Sequence, residues 1–379
     1  MFTIYDCPGR VDFGPGALNR LGEALAAFEA KHPLFLSDQG LMSIGVPQRA
    51  IKTLDELGYE YSVFTDISRE PDDVLVEKIL AKINEDGCDL LIAFGGGTTM
   101  DATKAANLVY ANGGTIEDYE GVDVGKKRGL PLIVIPTTAG TGSEVENTLI
   151  ISSGKIKRKM VIVSRTAIPD YSICDPELTL TLPPKLTLGP GMDALAHAME
   201  SYLSKGSSVM SEIYALKAMN LIYNNLAECV NNGSNLEART NQMLGSMLAG
   251  SAMSNSGCGV CHAITAPLGA YFHISHGDAN AMCLAQAMKF NAEAVPEKMV
   301  EMGVAMGMGT KEELTADIVV DNIFKLAKTC NMPSLTDYGV TIDQIDDNFI
   351  SEVVNEFSAT MNPREIKPED VIPFIEACL

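Results

Sequence analysis

Apolar and polar positions follow two rhythms along the chain. In the first half, apolar runs rich in Val, Ile, Leu and Phe recur at residues 33–36, 59–64, 90–94 and 130–135. Stretches with helical spacing surround them, at residues 16–30, 46–57, 72–84 and 98–111. Short strands alternating with helices predict βαβ units and a parallel sheet. Strands that are apolar at nearly every position predict a sheet covered on both faces. Beyond Pro183 and Pro184 the strand-like runs stop and helix formers take over, at residues 211–226, 236–251, 294–307, 311–330 and 346–359. Consecutive prolines interrupt helix and sheet alike. The expected organisation is an α/β domain at 1–183 and an all-α domain at 184–379.

Composition narrows the classes. The chain has 379 residues, enough for two domains with substantial cores. Its 46% hydrophobic and 20% charged residues are those of a folded globular protein. The formal charge of −21 argues against nucleic-acid partners, because phosphate backbones select basic surfaces. No apolar run approaches the ~20 residues of a membrane-spanning helix, and the N-terminus lacks the pattern of a secretion signal. Nine cysteines without such a signal read as free thiols in a reducing cytoplasm.

Two loops at predicted strand ends carry candidate binding chemistry. The first is Gly95-Gly96-Gly97-Thr98-Thr99-Met100-Asp101. Glycines before a helix expose backbone N–H groups to an anion, and the helix dipole adds to the attraction. Thr98 and Thr99 are expected to cap that helix. The loop has neither the G-x-G-x-x-G fingerprint nor a P-loop lysine. The second loop, Pro136-Thr137-Thr138-Ala139-Gly140-Thr141-Gly142-Ser143-Glu144, offers hydroxyls and bare amides to ribose and phosphate oxygens. Asp38 ends the run 33–37. It reads either as a plain turn residue or as an acceptor for a ribose 2′-hydroxyl that repels a 2′-phosphate.

Four of the five histidines, His197, His262, His273 and His276, fall within 80 residues. Asp193 and His197 stand four apart on a helical stretch, which puts both side chains on one face. One carboxylate with two or three imidazoles suits Fe²⁺ or Zn²⁺ and leaves room for a substrate oxygen. Glu200 reads as a surface or salt-bridged glutamate, with ligation as the alternative. His32 reads as a surface residue. Cys258 and Cys261 form a single CxxC, which reads as a small buried pair on a glycine-rich turn.

Together these pieces resemble the iron-containing (group III) alcohol dehydrogenase family. The resemblance rests on the two loops above, on Asp175-Pro-Glu-Leu-Thr179 with Leu182-Pro183, on Gly191-Met-Asp-Ala-Leu-Ala-His-Ala-Met-Glu200, and on His276-Gly277. It implies a dinucleotide-binding domain and a helical domain of dehydroquinate synthase-like architecture, with a metal in the cleft between them. It places the metal ligands on Asp193, His197, His262 and His276, and pyrophosphate contacts on Gly96, Gly97 and Thr98. Further nucleotide contacts fall on Thr137, Thr138, Thr141 and Lys159, with Gly95, Asp101 and Ser143 in the same loops. It makes Asp38 a determinant of NAD over NADP. Many members carry a second histidine four residues after the third ligand. Ala266 stands there in this chain, and His273 is the candidate substitute for its proton relay.

The implied activity is hydride transfer between NAD(H) and a small alcohol or aldehyde, with Fe²⁺, or Zn²⁺, as Lewis acid. The implied assembly is a homo-oligomer, a dimer or larger. A metal-dependent lyase of the dehydroquinate synthase type is the enzymatic alternative. It needs a basic cluster for an anionic substrate, yet residues 193–276 hold only Lys205, Lys217 and Arg239. A non-catalytic nucleotide sensor or filament protein is the remaining class, and an intact ligand set counts against it.

Overall fold

The computed structural model describes residues 5–67, 70–156 and 158–379, and the structural statements below concern these. The chain divides into two compact units. One holds Asp6–Thr138 and Gly142–Leu180, and the other holds Thr181–Leu379 together with Ala139–Thr141.

The first unit is α/β. Its strands are β1 (Arg10–Phe13), β2 (Pro33–Leu36), β3 (Ser62–Phe64), β4 (Leu90–Gly95), β5 (Gly121–Val122), β6 (Leu132–Pro136), β7 (Thr148–Ser153), β8 (Arg158–Val163) and β9 (Tyr171–Cys174). Its helices are α1 (Leu21–Ala27), α2 (Gln39–Ser43), α3 (Gln48–Glu56), α4 (Asp73–Asp86) and α5 (Gly97–Asn112). Six strands form one parallel sheet in the order β1-β9-β6-β4-β2-β3.

The middle strands are buried at every residue. Successive side chains of a strand point to opposite faces. Leu90, Ile92 and Phe94 therefore enter one core with Phe35 and Ile133, while Leu91 and Ala93 enter the other with Leu34 and Val134. This is the two-sided burial expected from unbroken apolar runs.

The strand ends position the first loop. Asp72 caps α4 by accepting the Leu75 N–H at 2.7 Å, and Gly87 ends that helix with φ +63°. α5 begins one residue before the expected threonines. Gly96 is its N-cap, with no side-chain cap bond, so Thr98 and Thr99 lie inside the first turn instead of capping it. Thr99 turns back over the strand end, where a Cβ on Gly95 would lie 2.4 Å from its Oγ1. Gly95 thus answers to close packing rather than to a turn.

Five strands escaped the sequence reading. β5, β8 and β7 form a small second sheet in which β7 and β8 pair antiparallel, and β1 and β9 complete one side of the large sheet. β1 and β9 mix apolar residues with charged or polar ones (RVDF, YSIC), whereas β7 and β8 do carry apolar runs (LII, MVIV) but no α-helix separates β7, β8 and β9, so the strand–helix rhythm does not mark them. The expected helix at 16–30 is a 3₁₀ turn, Ala17–Arg20, followed by the shorter α1.

The second unit contains α6 (Pro184–Leu203), α7 (Val209–Asn231), α8 (Leu236–Met253), α9 (Val260–Phe272), α10 (His276–Ala292), α11 (Pro296–Ala305), α12 (Ala316–Thr329), α13 (Asp347–Asn355), α14 (Phe357–Met361) and α15 (Pro368–Glu376). α6 is buried on all sides from Gly191 to Leu203, as befits a helix apolar around its circumference. α6 and α10 meet at glycines. A Cβ on Gly277 would lie 2.8 Å from the Gly189 backbone. Only bare backbone permits that approach, and it sets the start of α10 against α6 one residue after His276.

Candidate metal centre and nucleotide loops

In the helical unit, Asp193 and His197 come from one face of α6, His262 from the first turn of α9, and His276 from the first position of α10. One donor atom from each lies within 4.8 Å of the other three. Asp193 Oδ1 is the hub, 3.7 Å from Nε2 of each of His197, His262 and His276. Ligand bonds of ~2.1 Å at tetrahedral angles separate donor atoms by about 3.4 Å, so one small ion fits this set. Asp193, His197 and His262 are buried, whereas the His276 side chain is 44% exposed. The cluster is therefore approached from the His276 side.

The ionisation of Asp193 and His197 suits ion binding, while that of His262 favours its proton until an ion displaces it. Burial pushes the Asp193 carboxyl up, but the three imidazoles outweigh it and hold that group well below its ordinary value. Burial dominates at His197 and keeps its imidazole below the usual value despite Asp193. Burial also disfavours charge on His262, yet Cys258, Asp193 and Glu200 together reverse this and raise it. Cys258 is pushed up to about 11 by burial, so its thiol stays protonated near neutrality.

Two residues that the sequence reading did not assign to the site hold it in shape. Glu200 is not at the surface but takes the salt-bridged form of that reading, paired with His262. Its side chain is fully buried, and its carboxylate accepts the Cys261 N–H at 2.6 Å and lies 2.6 Å from His262 Nδ1. Asn280 donates its amide to Asp193 Oδ1 at 2.6 Å and accepts from the Thr265 hydroxyl at 2.7 Å. The same amide nitrogen lies 3.3 Å from His262 Nε2 and 3.1 Å from His276 Nε2. Both were within reach of helical spacing. Glu200 is three residues past His197, and Asn280 is four past His276, the interval that singled out Asp193 with His197.

His273 is not one of the four clustered residues. It is exposed and forms the left-handed cap of α9, with φ +55°. Histidine tolerates that region better than most side chains do. Ala266 is half-buried in the same helix. Cys258 and Cys261 are buried thiols, and all nine cysteines are free.

In the α/β unit, Asp38, Gly95, Gly96, Gly97, Thr98, Thr137 and Thr138 gather at the carboxyl edge of the large sheet, where open α/β sheets take their ligands, while Lys159 lies on β8 of the small sheet. Gly95 pairs with Pro136 across β4 and β6, and the Thr137 N–H donates to the Gly95 carbonyl at 3.0 Å. A Cβ on Gly96 would lie 3.4 Å from Thr138 Oγ1, so the two loops touch. Gly96, Gly97 and Thr98 are half-exposed at the start of α5, while Thr137 is buried. Thr141 is half-exposed and packs with the helical unit. Asp38 follows β2 on the same edge and caps α2, accepting the Leu41 N–H at 2.9 Å.

Asp101 and Ser143 face inward. Ser143 is fully buried and donates to Asp101 Oδ1 at 2.6 Å, while the Lys104 ammonium donates to Ser143 Oγ at 2.8 Å. Lys104, 1% exposed, was not anticipated. It stands three residues past Asp101, a helical neighbour masked by a sequence context that looked like ordinary helix surface. Burial raises Asp101 and pushes Glu144 up to about 7, and Lys104 opposes both shifts. Lys159 Nζ lies 3.2 Å from Glu70 Oε1.

Residues 8–176 match the family described as iron-containing alcohol dehydrogenase, and residues 187–379 match the C-terminal part described for the same family. The NAD-dependent methanol dehydrogenase of Bacillus methanolicus is 32% identical over 381 residues, covering all of both chains. A solved 1,3-propanediol oxidoreductase superposes with a TM-score of 0.96 at 31% identity, over all of both chains. The sulfoacetaldehyde reductase of Bifidobacterium kashiwanohense, solved in complex with NAD⁺, superposes with a TM-score of 0.90 at 30% identity, over 100% of this chain and 99% of that one.

Proposed function

This chain belongs to the iron-containing alcohol dehydrogenase family, and from that premise we propose how its own residues serve the reaction and which cofactors it takes. It is an oxidoreductase that interconverts alcohols and aldehydes with NAD(H). The relatives named here are dehydrogenases and reductases, and they lend nothing to the lyase alternative.

The observation that carries the metal reading is the convergence of four donor atoms within 4.8 Å. Asp193, His197, His262 and His276 would hold one Fe²⁺. When bound, the ion and the nicotinamide supply Lewis acidity at the substrate oxygen and a hydride acceptor. The chain does the positioning. Glu200 accepts the Nδ1 proton of His262, which fixes the tautomer whose Nε2 lone pair faces Asp193. Asn280 steadies the Asp193 carboxylate. The exposed His276 side admits a small substrate. His273 would exchange the substrate proton with solvent in place of the missing histidine at 266. Gly96, Gly97 and Thr98 would take the pyrophosphate on α5, and Asp38 the adenosine ribose of NAD. Thr137, Thr138, Thr141 and Lys159 would complete the nucleotide contacts.

A cytoplasmic location accords with nine free thiols, and among the described residues no helix is long and apolar enough to cross a membrane. The test uses the full chain stripped of metal and reloaded with Fe²⁺ or Zn²⁺. NADH absorbance is followed on short primary alcohols, diols and semialdehydes. Turnover that appears with Fe²⁺ and exceeds that with Zn²⁺ supports the reading. Tight NAD binding without turnover on any of these substrates refutes it in favour of a nucleotide sensor.

A further inference from the structure

A second set of metal-type donors lies at the opposite edge of the large sheet, where its strands begin. His32, Asp86 and Cys88 each offer one atom within 4.8 Å of the other two. His32 is half-buried and does not behave as a plain surface residue, and Cys88 is buried. The set combines imidazole, carboxylate and thiol, the donor mixture that suits zinc-class ions.

The backbone fixes these side chains before any ion arrives. His32 directly precedes β2, and Cys88 lies two residues before β4. Those strands pair Pro33 with Leu90. The Asp89 carboxylate accepts the N–H groups of Lys31 at 2.8 Å and His32 at 2.9 Å, and the Asp89 N–H donates to the His32 carbonyl at 3.1 Å. Asp86 is the last residue of α4, and the Cys88 N–H donates to the Ile83 carbonyl of that helix. Ser62, the first residue of β3, places its hydroxyl among the donors. It donates to Asp86 Oδ2 and lies 3.0 Å from His32 Nε2. Rigid strand starts are the supports a precise ligand set needs.

We propose that His32, Asp86 and Cys88 form a divalent transition-metal site of the zinc class, separate from the Asp193 cluster, with the Ser62 hydroxyl or a water as fourth ligand. Lys82 and Ser62 both engage Asp86 Oδ2, which leaves Oδ1 for the ion. As the metal–sulfur bond forms, the Cys88 S–H proton passes to the buffer and no redox change occurs. The bound ion would tie the start of three strands to the end of α4.

The probe is Co²⁺ added to the metal-stripped full chain, read by the near-ultraviolet sulfur-to-cobalt charge-transfer band. The Asp193 cluster has only nitrogen and oxygen donors, so its occupancy gives no such band. The expected result is a band that persists in Asp193→Asn and saturates there with one equivalent bound, disappears in Cys88→Ser, and needs at least about tenfold more Co²⁺ in His32→Gln. His32 is half-buried, so that variant tests the site even if Cys88→Ser folds poorly. Absence of the band in the unsubstituted chain overturns the proposal. So does a band that survives in Cys88→Ser and vanishes in Cys258→Ser, since Cys258 lies beside His262 and Glu200.

Discussion

Glu200 Oε2 lies 2.6 Å from His262 Nδ1, and both side chains are buried in the helical unit. A carboxylate behind a ligating imidazole fixes the ring's tautomer and strengthens it as a donor, and losing such a partner costs ~10–100-fold in metal affinity. Glu200→Ala is therefore expected to bind Fe²⁺ ~10–100-fold more weakly, with activity recovering at saturating metal. Metal content measured by equilibrium dialysis checks this. Unchanged affinity would mean that Glu200 only anchors α9 through the Cys261 N–H.

Glu144 gives the protein a pH-dependent stability with a definite sign. Burial raises its folded-state pKa to about 7, above the ordinary 4.5. The folded state thus favours the neutral carboxyl. Its contribution is fully present below about pH 4.5 and is lost as the pH rises through about 7. Each pKa unit corresponds to ~1.4 kcal/mol, so the loss is of order 3 kcal/mol. Glu144→Gln keeps the shape and removes the ionisation. Denaturant titrations should find the variant more stable than the parent at pH 8, with little or no difference at pH 4. Equal differences at both pH values would refute the assignment.

The sheet and part of the side-chain cluster around Asp193 were legible in the sequence for separate reasons. Runs such as Leu90–Phe94 are buried on both faces, so every residue carries the signal. Asp193 and His197 share a helix face, so their relation is local. The strands β1 and β9 depend on a partner far along the chain, and the neighbouring β7 and β8 fall outside the strand–helix rhythm that marks the others. Glu200, Asn280 and Lys104 were hidden differently. Glutamate, asparagine and lysine on helices are usually solvated, and their burial becomes visible only once α9, α10 and the loop at Ser143 are in place. The expected threonine caps failed because the helix begins on glycine, one residue earlier than its first capping side chain.

Lys104 is a buried cation with no carboxylate in direct contact among the bonds described. Its ammonium donates to Ser143 Oγ and to the Glu146 carbonyl, at 2.8 and 3.3 Å. Hydrogen bonds to charged groups contribute ~1.5–3 kcal/mol. Lys104→Met keeps most of the apolar volume and removes the charge. Expected are a stability loss of about 2–3 kcal/mol and weaker NAD binding, since Ser143 and Asp101 belong to the two candidate nucleotide loops. Chemical denaturation and fluorescence titration with NAD measure the two effects separately. A stability loss with unaltered NAD affinity would confine Lys104 to a structural role.

Asp38 has two duties that a single substitution can separate. Its carboxylate caps α2 through the Leu41 N–H, and its charge faces the edge where a nucleotide would lie. Asparagine is as good an N-cap as aspartate but carries no charge. Asp38→Asn should therefore leave the melting temperature nearly unchanged while removing repulsion toward a 2′-phosphate. Two like charges ~4 Å apart repel by about 1 kcal/mol in water and by more near a protein surface. The ratio of kcat/KM for NADPH over NADH should accordingly rise about tenfold or more, because 1.4 kcal/mol is one decade. The two rates, measured on the same aldehyde, decide the matter. If the ratio stays constant while the fold stays intact, cofactor choice resides elsewhere on the sheet edge, and Asp38 is a helix cap alone.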